Sequence, residues 1–179
     1  SMRDGNMQNI RHFWSSIRPN GPERPYLLDR LELRICDYVS DINILLAITA
    51  FLELRVISLF ENKSTLDPLI ASELSMDDLS KMCDQNEIKA AQKSLDAELI
   101  HWKDGKKIIC REWIKYLLDD LSPIAERLKI KHLLDPIYMI LEDGNQSMKW
   151  IKRYHDGLSI EEIMKYEIEY MISTEEQYF

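Results

Sequence analysis

Residues 31–36 read LELRIC, a stretch in which apolar and charged side chains alternate strictly. Successive side chains of a β-strand point to opposite faces of the sheet. The alternation therefore predicts a strand with one apolar face and one face that carries Glu32 and Arg34. The apolar face is suited to packing, and the charged face is the first place to look for chemistry.

The pattern of the sequence changes near residue 40. Turn-forming residues come before the strand, as RPNGP at 18–22 and RP at 24–25, whereas helical spacing follows it. We therefore predict two parts, a strand segment over residues 1–40 and a helical region over residues 41–179.

The stretch 42–60 reads INILLAITAFLELRVISLF and is apolar on nearly all sides of a helix that Asp41 can cap. Its length is close to the roughly 20 residues that span a bilayer. However, it contains Glu53 and Arg55, and each charge near a bilayer centre costs about 2.5 to 3.5 kcal/mol. We interpret it as a buried helix of a soluble protein and predict no membrane contact. A helix that is apolar all round packs inside a larger assembly, so we expect a covering partner.

The remaining sequence predicts short helices and one β-hairpin. The hairpin is predicted at about 98–110, because the DG pair at 104–105 lies between two apolar runs and glycine accepts the positive φ of the turn. Helix starts are predicted at SP (122–123) and DP (135–136), and SIEE (159–162) is a capping box. The predicted fold class is α+β and helix-dominated.

Composition excludes several classes of function. The chain has 31 Asp+Glu against 23 Lys+Arg, a net charge of −8, whereas a nucleic-acid partner requires clustered basic residues. Its 3 Cys are far apart without any CxxC pair, which favours neither a disulfide framework nor a zinc site. We see no signal-peptide pattern and expect a reducing, cytoplasmic location.

Glu32 and Arg34 form the candidate reactive pair. Residues i and i+2 of a strand lie about 6 to 7 Å apart on one face. A carboxylate there can hold a Mg²⁺ that bridges phosphate oxygens, and a guanidinium can bind a transferring phosphoryl group. Arg18 and Arg30 add positive charge nearby. Taken alone, such a pair is more often a solvated face with a weak ion pair, so its surroundings decide its meaning.

The surroundings resemble a known family over nearly the whole chain. In order, the matching segments are NIRHFW (9–14), SIRPNGPERPY (16–26), RLELRICD (30–37), LLAITAFLELR (45–55), SLDAELIHWKDGKKIICREWI (94–114), SPIAERL (122–128) and ILEDGNQSMKWIKRYHDGLSIEEI (140–163). Together they resemble the late catalytic segment and C-terminal region of glutamate–cysteine ligases of the cyanobacterial type. RLELRICD with the preceding RPNGP is the most specific part.

The resemblance implies a fold, a reaction and site residues. These ligases look like relatives of glutamine synthetase, with a curved antiparallel sheet around an active site that binds ATP and Mg²⁺. They phosphorylate the γ-carboxylate of glutamate, and the amine of cysteine then attacks the acyl phosphate. By resemblance, Glu32 is a metal ligand, Arg34 is a catalytic residue that contacts phosphate, and Arg18 and Arg30 bind ATP.

The resemblance also implies that part of the site is missing. Complete members of the family are longer, and their earlier half supplies further metal-binding carboxylates and most of the glutamate pocket. We therefore predict that residues 1–40 belong to an incomplete catalytic domain, that the isolated chain is inactive, and that it self-associates through its apolar helix. The alternative is a non-enzymatic helical interaction module or a subunit of a split ligase. Ser94 stands where relatives commonly have Gly.

Overall fold

The structure is a computed structural model that describes residues 17–20, 30–33 and 38–176. The chain forms two compact units, Ser1–Tyr38 and Val39–Phe179. The described residues form a few short strands and many helices, so the predicted α+β, helix-dominated fold class is confirmed. The assignment of the first unit to an incomplete catalytic domain stays a prediction.

The first unit contains a pair of antiparallel strands, β1 (Ile17–Asn20) and β2 (Arg30–Leu33). The first half of the alternating stretch lies in β2, as its period of two predicts. Residues 34–36, the second half, lie outside the described residues.

The second unit is built from helices and one hairpin. In chain order its described elements are α1 (Ile42–Glu61), α2 (Lys63–Leu66), α3 (Pro68–Ala71), α4 (Met76–Lys93), a 3-10 turn (Ser94–Asp96), β3 (Glu98–Ile100), β4 (Lys107–Ile109), α5 (Cys110–Arg127), a second 3-10 turn (Lys131–Leu134), α6 (Asp135–Asp143), α7 (Gln146–His155) and α8 (Ile160–Glu175).

One face of α1 is buried among the described residues and the other is exposed, and the covering partner expected for this helix stays a prediction. The buried side chains recur at helical spacing and are Ala47, Ala50, Leu54 and Ser58. On the opposite side Leu45 is 51% exposed and Phe60 is 83% exposed. Among the described residues, α1 is the one helix long and apolar enough to cross a membrane, and 22% of that apolar window is buried. Length and composition are weak grounds for a span, because core helices share them, and the absence of membrane contact stays a prediction.

The core of the second unit lies where α1 packs against α5, α6 and the 3-10 turn at Lys131–Leu134. Its largest fully buried side chains are Leu54, Leu118, Leu121 and Leu134. The helix start predicted at SP (122–123) is wrong, because α5 runs without a break through Pro123. A proline inside a helix costs about 3 kcal/mol, and the burial of Leu121 and its neighbours on both sides of the proline outweighs that cost.

The predicted hairpin is confirmed. β3 and β4 pair antiparallel with Leu99 opposite Ile108, and Gly105 in the turn has φ of +70°. Asn86 of α4 fastens the hairpin, because its side chain donates to the Ile100 carbonyl oxygen and accepts from the Ile100 N–H, both at 2.8 Å.

The ends of the helices follow several of the sequence signals. Ser159 and Glu162 form the predicted capping box at the start of α8. Gly144 ends α6 with φ of +91°, a value that favours glycine. Ser94 ends α4 with φ of +52°, so this serine occupies a left-handed conformation, and its hydroxyl accepts a 2.6 Å hydrogen bond from the Asn145 side chain.

Candidate functional site

The β1–β2 ladder brings two of the predicted site residues to directly opposite positions. In its antiparallel register Arg18 pairs with Glu32, and Asn20 pairs with Arg30. Directly opposite residues of an antiparallel pair have Cα atoms about 4.5 to 5.5 Å apart. The backbone therefore sets the predicted ATP-binding arginine beside the predicted metal ligand on the neighbouring strand.

Of the other two predicted site residues, Arg30 is the one that lies within the described residues. Arg30 lies two positions before Glu32 in β2. Arg34 lies outside the described residues, so the predicted alignment of Arg34 with Glu32 along the strand stays a prediction. The roles of all four residues likewise stay predictions.

The residue types at this ladder fit a magnesium–phosphate site. A carboxylate oxygen is a preferred ligand of Mg²⁺, and guanidinium groups bind phosphate oxygens through paired N–H donors. Within residues 38–176, whose side chains the structure describes, no group of three or more His, Cys, Asp or Glu could hold a metal ion. Glu32 stays the candidate metal ligand.

A buried carboxylate of α8 accepts a hydrogen bond from Ser40, which follows the end of β2 by seven residues in sequence. Glu167 of α8 is only 4% exposed, and three side chains donate hydrogen bonds to it. Ser40 Oγ donates to Glu167 Oε2 at 3.0 Å, Arg153 Nη1 donates to Glu167 Oε1 at 2.5 Å, and Gln146 Nε2 also donates to Glu167 Oε2. We call these four residues the Ser40 node.

Two further hydrogen bonds join α8 to Ser40 and Asp41. Thr174 Oγ1 donates to the carbonyl oxygen of Ser40 at 3.3 Å. The hydroxyl of Tyr170 donates to Asp41 Oδ2 at 2.7 Å, and Asp41 also caps α1 by accepting from the Asn43 N–H. The hydrogen bond to the Asp41 carboxylate raises the pKa of Tyr170 to about 12, because the proton that it shares is harder to remove.

The Ser40 node was missed by sequence reasoning. Glu167 falls within the apolar stripe Ile160, Ile163, Met164 and Met171 of α8, where a charged residue is out of place. That mismatch was the available signal, because a charge on the inner face of a helix needs a partner. The partners themselves come from distant parts of the sequence and have no local pattern.

The described cysteines are unsuited to nucleophilic chemistry. Burial raises the pKa of the Cys110 thiol, and burial together with the carboxylates of Glu87 and Asp84 raises the pKa of Cys83. A thiol with a raised pKa contains less of the reactive thiolate at neutral pH. Cys36 lies outside the described residues.

Comparison with known proteins agrees with the sequence resemblance. The profile of the family described as glutamate-cysteine ligase family 2 matches residues 1–171. The chain therefore belongs to this family of carboxylate–amine ligases, and the predicted resemblance is confirmed. No solved structure matches the chain.

Three bacterial relatives show how much of a family member's length the chain covers. "Putative glutamate--cysteine ligase 2-2" of Legionella pneumophila (strain Corby) is 25% identical over 160 residues, which is 89% of this chain and 39% of the relative. "Putative glutamate--cysteine ligase 2" of Solibacter usitatus (strain Ellin6076) is 24% identical over 91% of this chain and 40% of the relative. The protein of that name from Thermobifida fusca (strain YX) is 29% identical over 80% of this chain and 33% of the relative. The chain thus spans about a third to two fifths of the length of these curated relatives.

Proposed function

We propose that this chain is the C-terminal part of an ATP-dependent glutamate–cysteine ligase in the cytoplasm. The reaction joins the γ-carboxylate of glutamate to the amine of cysteine and gives γ-glutamylcysteine, the first step of glutathione synthesis. Membership of the family supports the reaction class. The observation that carries the proposal is the register of the β1–β2 ladder, in which Arg18 lies opposite Glu32.

Each of the four predicted residues has one task in this proposal. Glu32 holds Mg²⁺, Arg34 binds the transferring phosphoryl group, and Arg18 and Arg30 bind the phosphates of ATP. Bound ATP with Mg²⁺ would supply an electrophilic phosphorus whose charge is partly neutralised. A carboxylate oxygen of glutamate displaces ADP from that phosphorus, and the cysteine amine then displaces phosphate from the acyl carbon and loses a proton. The arginines offset the charge that builds up on the phosphoryl oxygens.

The isolated 179-residue chain is inactive in this proposal. A ligase of this type requires several metal-binding carboxylates and a pocket for glutamate, and the chain spans 39% of the length of the relative from Legionella pneumophila (strain Corby). We propose that the missing partner is the N-terminal half of the catalytic domain, which supplies both. Glutamate, cysteine and ATP are then the small-molecule substrates of the complete protein, with no nucleic-acid partner.

The experiment compares this chain with the longest natural reading frame that contains it. ADP release is measured with Mg²⁺ in the presence and absence of glutamate and cysteine. We expect substrate-dependent ADP release from the long form and none from the 179-residue chain. In the long form, Arg34→Ala should lower kcat by about 10³-fold, the scale for an arginine that stabilises a transferring phosphoryl group. Glu32→Gln should raise the Mg²⁺ concentration required for activity.

Matched variants control for the loss of charge. Glu98→Gln removes a carboxylate from the hairpin, where Glu98 pairs with Lys107 at 2.7 Å, and Arg111→Ala removes a guanidinium that pairs with Asp96 at 3.1 Å. Both controls should keep kcat within about twofold, because exposed ion pairs contribute little. Equal losses in the control and site variants would contradict the assignment of the site to β2.

One observation favours the alternative function. The outer face of α1 exposes Leu45, Leu46, Leu59 and Phe60, which is unusual for a helix at the centre of a unit. A helical interaction module, or a subunit that completes a split ligase, would cover such a face with another chain. If no longer reading frame exists and the 179-residue chain gives no ADP release, this alternative replaces the ligase proposal.

A further inference from the structure

An apolar groove lies between α7 and α8, which form a helical hairpin joined by residues 156–159. The groove encloses about 400 Å³, and apolar surface of both helices lines it. Its lining includes Ile151 and Tyr154 of α7 and Ile160 and Met164 of α8. Ile151 and Tyr154 are each 58% exposed, and Ile160 is 68% exposed. Large apolar side chains grouped in this way are typical of a surface that another protein covers.

The two helices of this hairpin carry opposite charges. α7 contains three Lys or Arg residues and no Asp or Glu, whereas α8 contains five Glu and one Lys. Arg153 of α7 already pairs with Glu167 of α8 within the chain. Lys152 and Glu161 are exposed, and neither has an ion-pair partner in the part of the chain that the structure describes. These two side chains are therefore free to meet charges on another molecule.

Lys152 and Glu161 border the groove on opposite sides. Successive residues of a helix are separated by about 100° around its axis. Lys152 therefore lies about 60° beyond His155, which lines the groove on α7, and Glu161 lies about 60° beyond Met164, which lines it on α8. The groove thus has a basic rim along α7 and an acidic rim along α8.

The two rims select a second copy of this chain as the occupant of the groove. Most homo-oligomers are closed by a two-fold axis, and a two-fold interface needs a patch that complements itself. If the axis runs along the helices, α7 of each copy faces α8 of the other, and Lys152 meets Glu161 of the second copy. If the axis runs across the helices, α7 faces α7 and like charges meet. Opposite charges favour association and fix its orientation, so they select the first arrangement.

We propose that this groove is a self-association surface, at which two copies pair their α7–α8 hairpins about a two-fold axis along the helices. The four helices form a bundle in which each helix is antiparallel to its neighbours. Ile151, Tyr154 and Ile160 of both copies are covered at its centre. The surface is separate from the outer face of α1, and the inference does not depend on the ligase proposal.

Sedimentation velocity of the 179-residue chain tests the pairing, with Phe60→Ser present throughout to weaken association through α1. The Phe60→Ser chain should sediment as a dimer that dissociates on dilution. Adding Ile151→Asp should make it monomeric, because a carboxylate would be buried in an apolar interface without a partner. Adding Lys152→Glu or Glu161→Lys should raise the Kd of the dimer by about 10- to 100-fold, because each change places like charges opposite each other at both rims.

An equimolar mixture of the Lys152→Glu and Glu161→Lys chains tests the two-fold arrangement itself. Opposite charges then meet at both rims, so the mixture should form a heterodimer with a Kd within about threefold of that of the Phe60→Ser dimer. The matched control is Lys115→Glu, which makes the same change of charge at an exposed position of α5 and should leave Kd within about twofold. Circular dichroism checks that each variant keeps its helices, and if Glu161→Lys does not, Lys152→Glu and Ile151→Asp decide.

Three results would overturn the inference. If the Phe60→Ser chain is monomeric at every concentration, the groove does not bind a second copy and is left to a helix of a different protein. If Lys152→Glu and Ile151→Asp leave the dimer unchanged, the copies pair through another surface. If the two folded charge variants do not pair with each other, the two-fold arrangement along the helices is wrong.

Discussion

Replacing Leu54 with alanine tests whether α1 packs through the face that the structure buries. Leu54 is completely buried and shares the core cluster with Leu118 and Leu121. Leu45 lies on the opposite side of the same helix and is 51% exposed. The change Leu45→Ala is therefore a matched control, with the same chemistry, the same helix and a different environment.

The magnitudes follow from the difference in burial. Leu54→Ala removes buried methyl and methylene groups and leaves a cavity among close-packed neighbours, which costs about 3 to 5 kcal/mol. Leu45→Ala removes a side chain that is half in water already, so we expect a cost of about 1 kcal/mol or less. The slightly higher helix propensity of alanine reduces that cost further.

The assay is urea unfolding followed by far-ultraviolet circular dichroism, which reports the helices of the second unit. With a slope of about 2 kcal/mol per M of urea, Leu54→Ala should move the midpoint down by about 1 to 2 M, and Leu45→Ala by no more than about 0.5 M. Equal shifts for the two variants would refute the one-sided packing of α1. A larger shift for Leu45→Ala would mean that the outer face, covered by a second molecule, contributes more than the inner one.

Four further predictions test other features of the second unit. Gly144→Ala and Gly157→Ala both place a side chain at positive φ, and Gly144→Ala should lower the melting temperature more, because only its added Cβ meets a neighbour, at 3.3 Å. Ser159→Ala should cost about 1 kcal/mol through loss of the cap. Hydrogen bonds from Ser159 hold the pKa of Glu162 below its ordinary value of 4.5. The contribution of the Glu162 carboxylate to the stability of the fold is therefore present at neutral pH and is lost as pH falls through the lowered pKa. Urea titrations of Glu162→Gln and of the wild type at neutral pH and at about pH 3 check this difference. Phe60→Ser should shift the self-association that we expect of the chain toward monomer in size-exclusion chromatography, and a monomeric wild-type protein would contradict that expectation.

The elements predicted correctly from sequence are those whose signals lie in adjacent residues. The hairpin follows from glycine at 105, which adopts the positive φ that the turn needs. The start of α8 follows from Ser159 and Glu162, which satisfy each other's backbone N–H groups within one turn. In both cases the stabilising contacts are local, so the sequence pattern contains all the partners.

The errors arise where distant residues decide the structure. The local sequence around Pro123 predicts a helix start. The helix α5 nevertheless continues through Pro123, because residues on both sides of the proline pack in the core formed with α1. The sequence also leaves open which face of α1 meets the core, because almost every face is apolar. Only the positions of α5 and α6 select the side that bears Leu54.

The candidate site also combines features that the local sequence indicates with features that depend on distant residues. Alternation along one strand is enough to single out Glu32, whereas the pairing of Arg18 with it depends on the register of a second strand. The Ser40 node is still less accessible, since Glu167 finds its partners on α7 and ahead of α1. Sequence could mark Glu167 as misplaced in an apolar stripe, and only the fold supplies the reason.

The Ser40 node joins residues that a ribosome adds at widely separated times. Ser40 and Glu167 are 127 positions apart. At about 5 to 20 residues per second, the second follows the first by about 6 to 25 s. Within that interval the chain already contains α1, α5 and α6, the helices that form the core. The core can therefore close before α8 exists, and the docking of α8, which fixes the start of α1, comes last in the synthesis of this unit.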